Sequence, residues 1–176
     1  MIVEPMNFFI DLNRLKIECQ KLINEKNLVE NQLCLMHSSL CIDPWHDGTG
    51  SLYHKAKILN LPNPRLDSEF TIINEEIKTW YIGEVLELIQ SFYKVCRTRI
   101  MIMPARSAYS WHRDTSKRLH LALETNKDCR MVWESGSWHI PSNGQLFLTD
   151  TTLYHSAFNG HFKESRSHLV MSILDN

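Results

Sequence analysis

After Lys94 the chain changes texture, and that change narrows the folds open to it. Apolar and polar residues alternate in short runs, broken by turn residues such as Asn126-Lys-Asp128, Ser135-Gly136 and Ser142-Asn-Gly144. Runs of this kind predict strands over 97–103, 118–124, 130–135, 137–140, 145–149, 154–159 and 166–174. Many short antiparallel strands point to a sandwich or jelly roll. Side chains on a strand alternate between faces, so Arg118, His120, Ala122 and Glu124 share one side and Leu119, Leu121 and Leu123 the other. Along the last strand Arg166, His168 and Val170 oppose Leu169, Met171 and Ile173 by the same rule. Each strand carries basic residues on one face and large aliphatics on the other. The first face suits a polar cavity and the second a packed core.

The first 94 residues have a different pattern. Leu12, Leu15, Cys19, Leu22 and Ile23 recur at helical steps within 12–28. A second helix is predicted over 77–92, with Trp80, Ile82, Val85, Leu88, Ile89 and Phe92 on its apolar side. A short strand is expected within 32–36, and turn chemistry predicts loops at 44–50 and 61–64. The expectation is a mainly β protein with flanking helices. Segment 1–94 would pack on and cap a β core spanning 95–176, in one compact domain of 176 residues.

Composition removes several classes of function. The net charge is −1 and the pI about 6.7, with no long basic run, so no nucleic-acid partner is expected. No apolar stretch is long enough for a bilayer, and the N-terminus lacks the basic region and apolar run of a secretory signal. The five cysteines are irregularly spaced and include no Cys-x-x-Cys pair, which predicts free thiols in a reducing compartment. These features together predict a soluble, cytoplasmic protein with no membrane partner.

Chemistry concentrates in two segments, Trp111-His112-Arg-Asp114 and Asp150-Thr-Thr-Leu-Tyr-His155. Two imidazoles and one carboxylate can take one face of a metal and leave the opposite face open, as non-haem Fe(II) oxygenases require. His112, Asp114 and His155 are therefore the candidate ligands. His161 and His168 compete for the distal position, but His161 follows Gly160 and belongs to a loop. Arg166 lies on the polar face of the last strand. Its planar guanidinium suits a bidentate carboxylate. Trp111, Trp133 and Trp138 are expected to pack the core and rim, and Asp150 and Asn159 to orient the ligand strand by hydrogen bonds.

Beyond the ligands, the chain from about Arg97 onward resembles the aspartyl/asparaginyl β-hydroxylase family of Fe(II)/2-oxoglutarate oxygenases. The resemblance is carried by Trp111-His-Arg-Asp114, Arg118-Leu-His-Leu-Ala-Leu123, Trp138-His-Ile-Pro-Ser-Asn-Gly144, Leu148-Thr-Asp-Thr-Thr152, His155-Ser-Ala-Phe-Asn159 and Arg166-Ser-His-Leu-Val170. It implies a double-stranded β-helix, a cupin-like jelly roll. In that fold four strands separate the His-x-Asp turn from the distal histidine, matching the four predicted between Asp114 and His155. It also implies Fe(II), 2-oxoglutarate and O₂ as metal, co-substrate and oxidant. Arg166 and His120 would bind the two ends of 2-oxoglutarate, and Arg118 would meet a carboxylate of the substrate. Some animal members of the family have glycine in place of the triad carboxylate, whereas this chain keeps Asp114.

The resulting expectation is a dioxygenase hydroxylating a carboxylate-bearing small molecule or peptide, such as a free amino acid or an amino-acid residue. Trp45, His46 and Tyr53 lie in a turn-rich stretch that would cover the pocket. Other readings are a non-catalytic cupin-like metal-binding module, a zinc hydrolase, and an oxygenase of the same fold acting on protein or nucleic acid. Arg166 separates the first two from an oxygenase, because a hydrolase has no use for a buried cation aimed at a dicarboxylate.

Overall fold

In a computed structural model, which describes residues 1–174, the runs after Lys94 form strands close to the expected positions. The elements are β1 (Val3–Phe9), α1 (Leu12–Glu25), β2 (Gln32–Cys34), β3 (Met36–His37), α2 (Leu52–Ile58), β4 (Ile72–Ile73), α3 (Tyr81–Gln90), β5 (Val95–Met103), β6 (Ser107–Ala108), β7 (Arg118–Glu124), β8 (Cys129–Trp133), β9 (Gly136–Trp138), β10 (Gln145–Thr149), β11 (His155–Asn159) and β12 (Arg166–Ile173). Short 3₁₀ turns occupy Asp67–Glu69 and Glu75–Ile77. A six-stranded sheet has the order β1-β10-β7-β12-β5-β2, and a four-stranded sheet the order β6-β11-β8-β9. Their pairings are antiparallel, and the two sheets form a jelly roll.

The alternation sorts the larger sheet into two faces. Leu119, Leu121, Leu123, Ile100, Leu169 and Met171 pack against Leu15, Cys19 and Leu22 of α1 and Ile82, Val85, Leu86 and Ile89 of α3. On the other face Met103, Ala122 and Phe147 meet Met131, Trp133 and Ala157 of the smaller sheet. Each fully buried aliphatic on the helical side contributes about 1.5–3 kcal/mol. The polar residues of the inner face therefore lie between two well-anchored sheets.

The N-terminal segment is more than a cap, because it supplies β1 and β2 to the larger sheet. Pro5 argues against a strand in the sequence, but β1 is the outer strand, where a missing N–H is harmless. Gly144 fixes its approach. Gly144 has φ +82°, and a Cβ there would lie 2.5 Å from the Ile10 carbonyl oxygen. Helix α1 stops at Glu25, short of residue 28. Val29 and Gln32 exchange backbone hydrogen bonds around Glu30 and Asn31, both at positive φ, and this turn feeds β2. Helix α3 starts at Tyr81, later than expected. No side chain of its own caps it, but the Glu18 carboxylate on α1 accepts from the backbone N–H groups of Tyr81 and Ile82 at 3.0 and 2.7 Å. Helix α2 escapes the hydrophobic pattern because it buries only Ala56.

Candidate metal centre

The ligand segments meet through a short antiparallel bridge. The His112 N–H donates to the His155 carbonyl at 2.9 Å, and the His155 N–H returns a bond to the His112 carbonyl at 2.7 Å. The Asp114 N–H donates to the Thr151 carbonyl at 2.8 Å, and the Thr151 hydroxyl donates to the Ser116 carbonyl at 2.7 Å. Backbone pairing thus aligns two loops that are far apart in sequence. Asp150 closes the second loop, accepting from the Thr152 hydroxyl at 2.5 Å.

Ring orientation is fixed as well. His112 Nδ1 lies 2.7 Å from the Ser110 carbonyl oxygen, and His155 Nδ1 lies 3.0 Å from that of Leu153. A carbonyl only accepts, so both Nδ1 atoms carry the proton and both Nε2 lone pairs are free. One potential ligand atom from each of His112, Asp114 and His155 lies within 4.8 Å of the others. His112 Nε2 is 3.9 Å from Asp114 Oδ1, and His155 Nε2 is 3.6 Å from Asp114 Oδ2. Metal–ligand bonds of about 2.1 Å at octahedral or tetrahedral angles separate ligand atoms by about 3–3.5 Å, so a small contraction suffices.

The carboxylate's two oxygens differ. Oδ1 accepts from the Arg118 guanidinium at 2.7 Å, while Oδ2 is buried without a hydrogen-bond partner among the described residues. A buried carboxylate oxygen with no donor is costly unless a cation arrives. The donor set fits a divalent metal bound through one Asp114 oxygen and two Nε2 atoms. Burial lowers the His155 pKa, opposed by its Leu153 contact and by Asp114, which keeps the ring neutral as a ligand must be. Trp133 stacks on His155 with ring centres 5.7 Å apart, and its indole N–H donates to the Asp150 carbonyl at 2.9 Å. Trp133 was expected to pack, and nothing in the sequence announces that it also braces His155.

Arg166 opens β12 opposite Met103 and is 4% exposed. Its Nε has no partner, and the guanidinium makes no ion pair among the described residues. Burial lowers its pKa. Asn159 secures the approach to it, donating to the carbonyls of Met103, Pro104 and Glu164. His120 is buried on the same inner face, with Nδ1 3.4 Å from Nδ1 of His168. Burial, with the cations of Arg166 and Arg118 nearby, drives the His120 pKa far down, and His168 behaves alike for the same first reason. Arg118, expected beside the substrate, has its guanidinium on Asp114. His161 lies in a loop, accepting from the Glu164 N–H at 2.8 Å. In the N-terminal loop, His46 contacts Asp43 and the Asn27 carbonyl, and Trp45 packs against the helical core. Both thereby tie down the loop. Tyr53 is exposed on α2.

Two arginines of β5 also went unremarked in the sequence. Arg97 forms a buried ion pair with Asp67 at 2.8 Å and donates to the Gly48 carbonyl at 3.0 Å and to that of Gly50. Arg99 is fully enclosed and donates to the Gln32 side-chain oxygen at 2.8 Å. Part of the signal was present: two arginines interrupt a largely apolar strand, although a register shift and a positive φ at Arg97 break the alternation between them.

Residues 78–175 match the model of the family described as aspartyl/asparaginyl β-hydroxylase, over half of the chain. A search of curated proteins finds no match. Among solved structures, a truncated viral collagen prolyl hydroxylase, vCPH from Paramecium Bursaria Chlorella virus-1, superposes over 98% of this chain and 89% of its own, with TM-score 0.55 and 10% identity. AviO1 from Streptomyces viridochromogenes Tue57 covers the same shares with TM-score 0.52 and 12% identity. These similarities concern the fold. The non-heme monooxygenase ThoJ, solved with nickel, aligns over 51% of this chain at 18% identity and TM-score 0.39, and the chain spans about half, 49%, of its length.

Proposed function

Because the chain belongs to the aspartyl/asparaginyl β-hydroxylase family, we propose that it is an Fe(II)/2-oxoglutarate-dependent dioxygenase hydroxylating a carboxylate-bearing small molecule or peptide. His112, Asp114 and His155 would hold Fe(II). When bound, iron and 2-oxoglutarate supply the oxidising chemistry, with O₂ as oxidant, and the protein supplies position and shelter from water.

The observation that carries this reading is the buried Arg166 without a counter-charge among the described residues. Desolvating a guanidinium costs several kcal/mol, and a ligand carboxylate on its bidentate edge offsets that cost. A metal-binding module or a zinc hydrolase gives this cation nothing to do. His120 is kept neutral, so it meets the other end of the co-substrate as a hydrogen-bonding group with no charge of its own. Arg118 holds Asp114 Oδ1 and would offer its remaining donors to the substrate.

Succinate formation tests the proposal. Purified protein with Fe(II), 2-oxoglutarate and O₂ is screened against free amino acids and short peptides. Substrate-stimulated succinate, with a hydroxylated product in the same reaction, is expected. Absence of succinate under every condition counts against it.

A further inference from the structure

Four arginines lie on or beside the inner face of the larger sheet, and they differ in how their charge is met. Arg97 has Asp67 and Arg118 has Asp114. Arg166 and Arg99 form no ion pair among the described residues. A co-substrate that chelates the metal with one end has a single free carboxylate. It can neutralise Arg166 but leaves Arg99 uncompensated.

The register places Arg99 beside the chemistry. Val170 on β12 pairs with His120 on one side and Arg99 on the other, so the three side chains share one row and one face. Arg166 lies four residues further along β12, about 13 Å at ~3.3 Å per residue. The two uncompensated cations thus flank His120 from different directions. Arg99 Nη1 is held by Gln32, whose oxygen also accepts from the Gly50 N–H at 3.0 Å. Gly50 needs φ +66° to make this turn, and a Cβ there would fall 2.3 Å from the Glu30 carboxylate. Arg99 Nε and Nη2 have no partner among the described residues. Cys34, its cross-strand neighbour, supplies no counter-charge, because burial pushes that thiol's pKa up.

We propose that Arg99, oriented by Gln32, is the receptor for a carboxylate of the substrate, distinct from the co-substrate anchor Arg166. The assignment rests on the oxygenase reading above and adds a residue to it. It makes the substrate a small carboxylic acid that reaches between the metal and β5, under the loop at residues 48–50. Arg118, already neutralised by Asp114, contributes hydrogen bonds there and no net charge.

The test uses the full chain loaded with Mn(II) and 2-oxoglutarate under anaerobic conditions, so that binding is read without turnover. Proteinogenic amino acids are titrated calorimetrically as free acids and as their C-terminal amides. At least one acid is expected to bind, with its amide at least ~30-fold weaker, the loss that follows when one partner of a buried charge pair is removed. Arg99→Gln is expected to abolish that preference and keep 2-oxoglutarate affinity. Gln32→Glu supplies the missing counter-charge internally, so it is expected to raise the melting temperature and remove the preference even if Arg99→Gln does not fold. Wild-type protein that binds 2-oxoglutarate but no acid, or Gln32→Glu protein with an unchanged preference for acid over amide, overturns the proposal. Wild-type protein that fails to bind 2-oxoglutarate overturns the oxygenase reading and this inference together.

Discussion

Arg166→Met separates a ligand anchor from a structural arginine, because the two roles give opposite results. The guanidinium is 4% exposed and has no protein counter-charge among the described residues, so replacing it with an apolar chain of similar length removes a desolvation penalty. The ligand-free variant should melt no lower than wild type. The 2-oxoglutarate complex should suffer, since truncating one partner of a buried charge pair costs about 2–5 kcal/mol, and the lower figure is ~30-fold in affinity. With co-substrate at 100 times the wild-type Kd, wild type gains about 2.7 kcal/mol, and a variant bound ~30-fold more weakly gains about 0.9 kcal/mol. At ~2–4 °C per kcal/mol for a chain of this size, the melting temperature should rise about 5–11 °C in wild type and about 2–4 °C in the variant. Thermal melts with Mn(II), with and without 2-oxoglutarate, read this directly. Equal rises in both proteins would refute the anchor, and a variant that melts far lower without ligand would make Arg166 structural.

Further outcomes follow from the same geometry. His112→Ala and His155→Ala should each abolish stoichiometric binding of Fe(II) by the folded protein; normal iron content in both would move the site elsewhere. Asp67→Ala strands the buried Arg97 charge and should destabilise the protein by about 3–5 kcal/mol in urea unfolding, whereas a loss under 1 kcal/mol would contradict a desolvated pair. His120 and His168 are held neutral in the fold, with pKa values far below the ordinary 6.5, while the unfolded chain takes up protons near 6.5. Stability is therefore complete above pH ~6.5 and falls below it by about 1.4 kcal/mol per pH unit for each histidine, until the folded pKa values are reached. His168→Leu should reduce that slope by one proton in denaturant titrations between pH 7.5 and 5.5; an unchanged slope would show that the ring is protonated in the fold.

Strand content after Lys94 was legible because alternation there is strict and turn residues are abundant. Leu119, Leu121 and Leu123 could only face a core, and they do. The meeting of His112, Asp114 and His155 was legible because each sits in a short motif, although it depends on a backbone bridge between residues 112 and 155 that no local pattern announces. β1 was hidden by Pro5, whose effect depends on whether the strand lies at an edge. The start of α3 was hidden because its cap, Glu18, comes from another helix. Arg97 and Arg99 show a further limit. Two arginines within a largely apolar strand call for partners, yet which of them finds a carboxylate depends on the distant Asp67.

We propose that His112, Asp114, His155 and Arg166 form one site for Fe(II) and 2-oxoglutarate. Its most direct test is the visible absorption of the anaerobic protein as first Fe(II) and then 2-oxoglutarate are added. A metal-to-ligand charge-transfer band is expected that requires both additions, saturates at one equivalent of iron and is lost in His155→Ala. A protein that binds iron but shows no band at saturating 2-oxoglutarate, or keeps it in His155→Ala, would contradict a shared site for iron and 2-oxoglutarate.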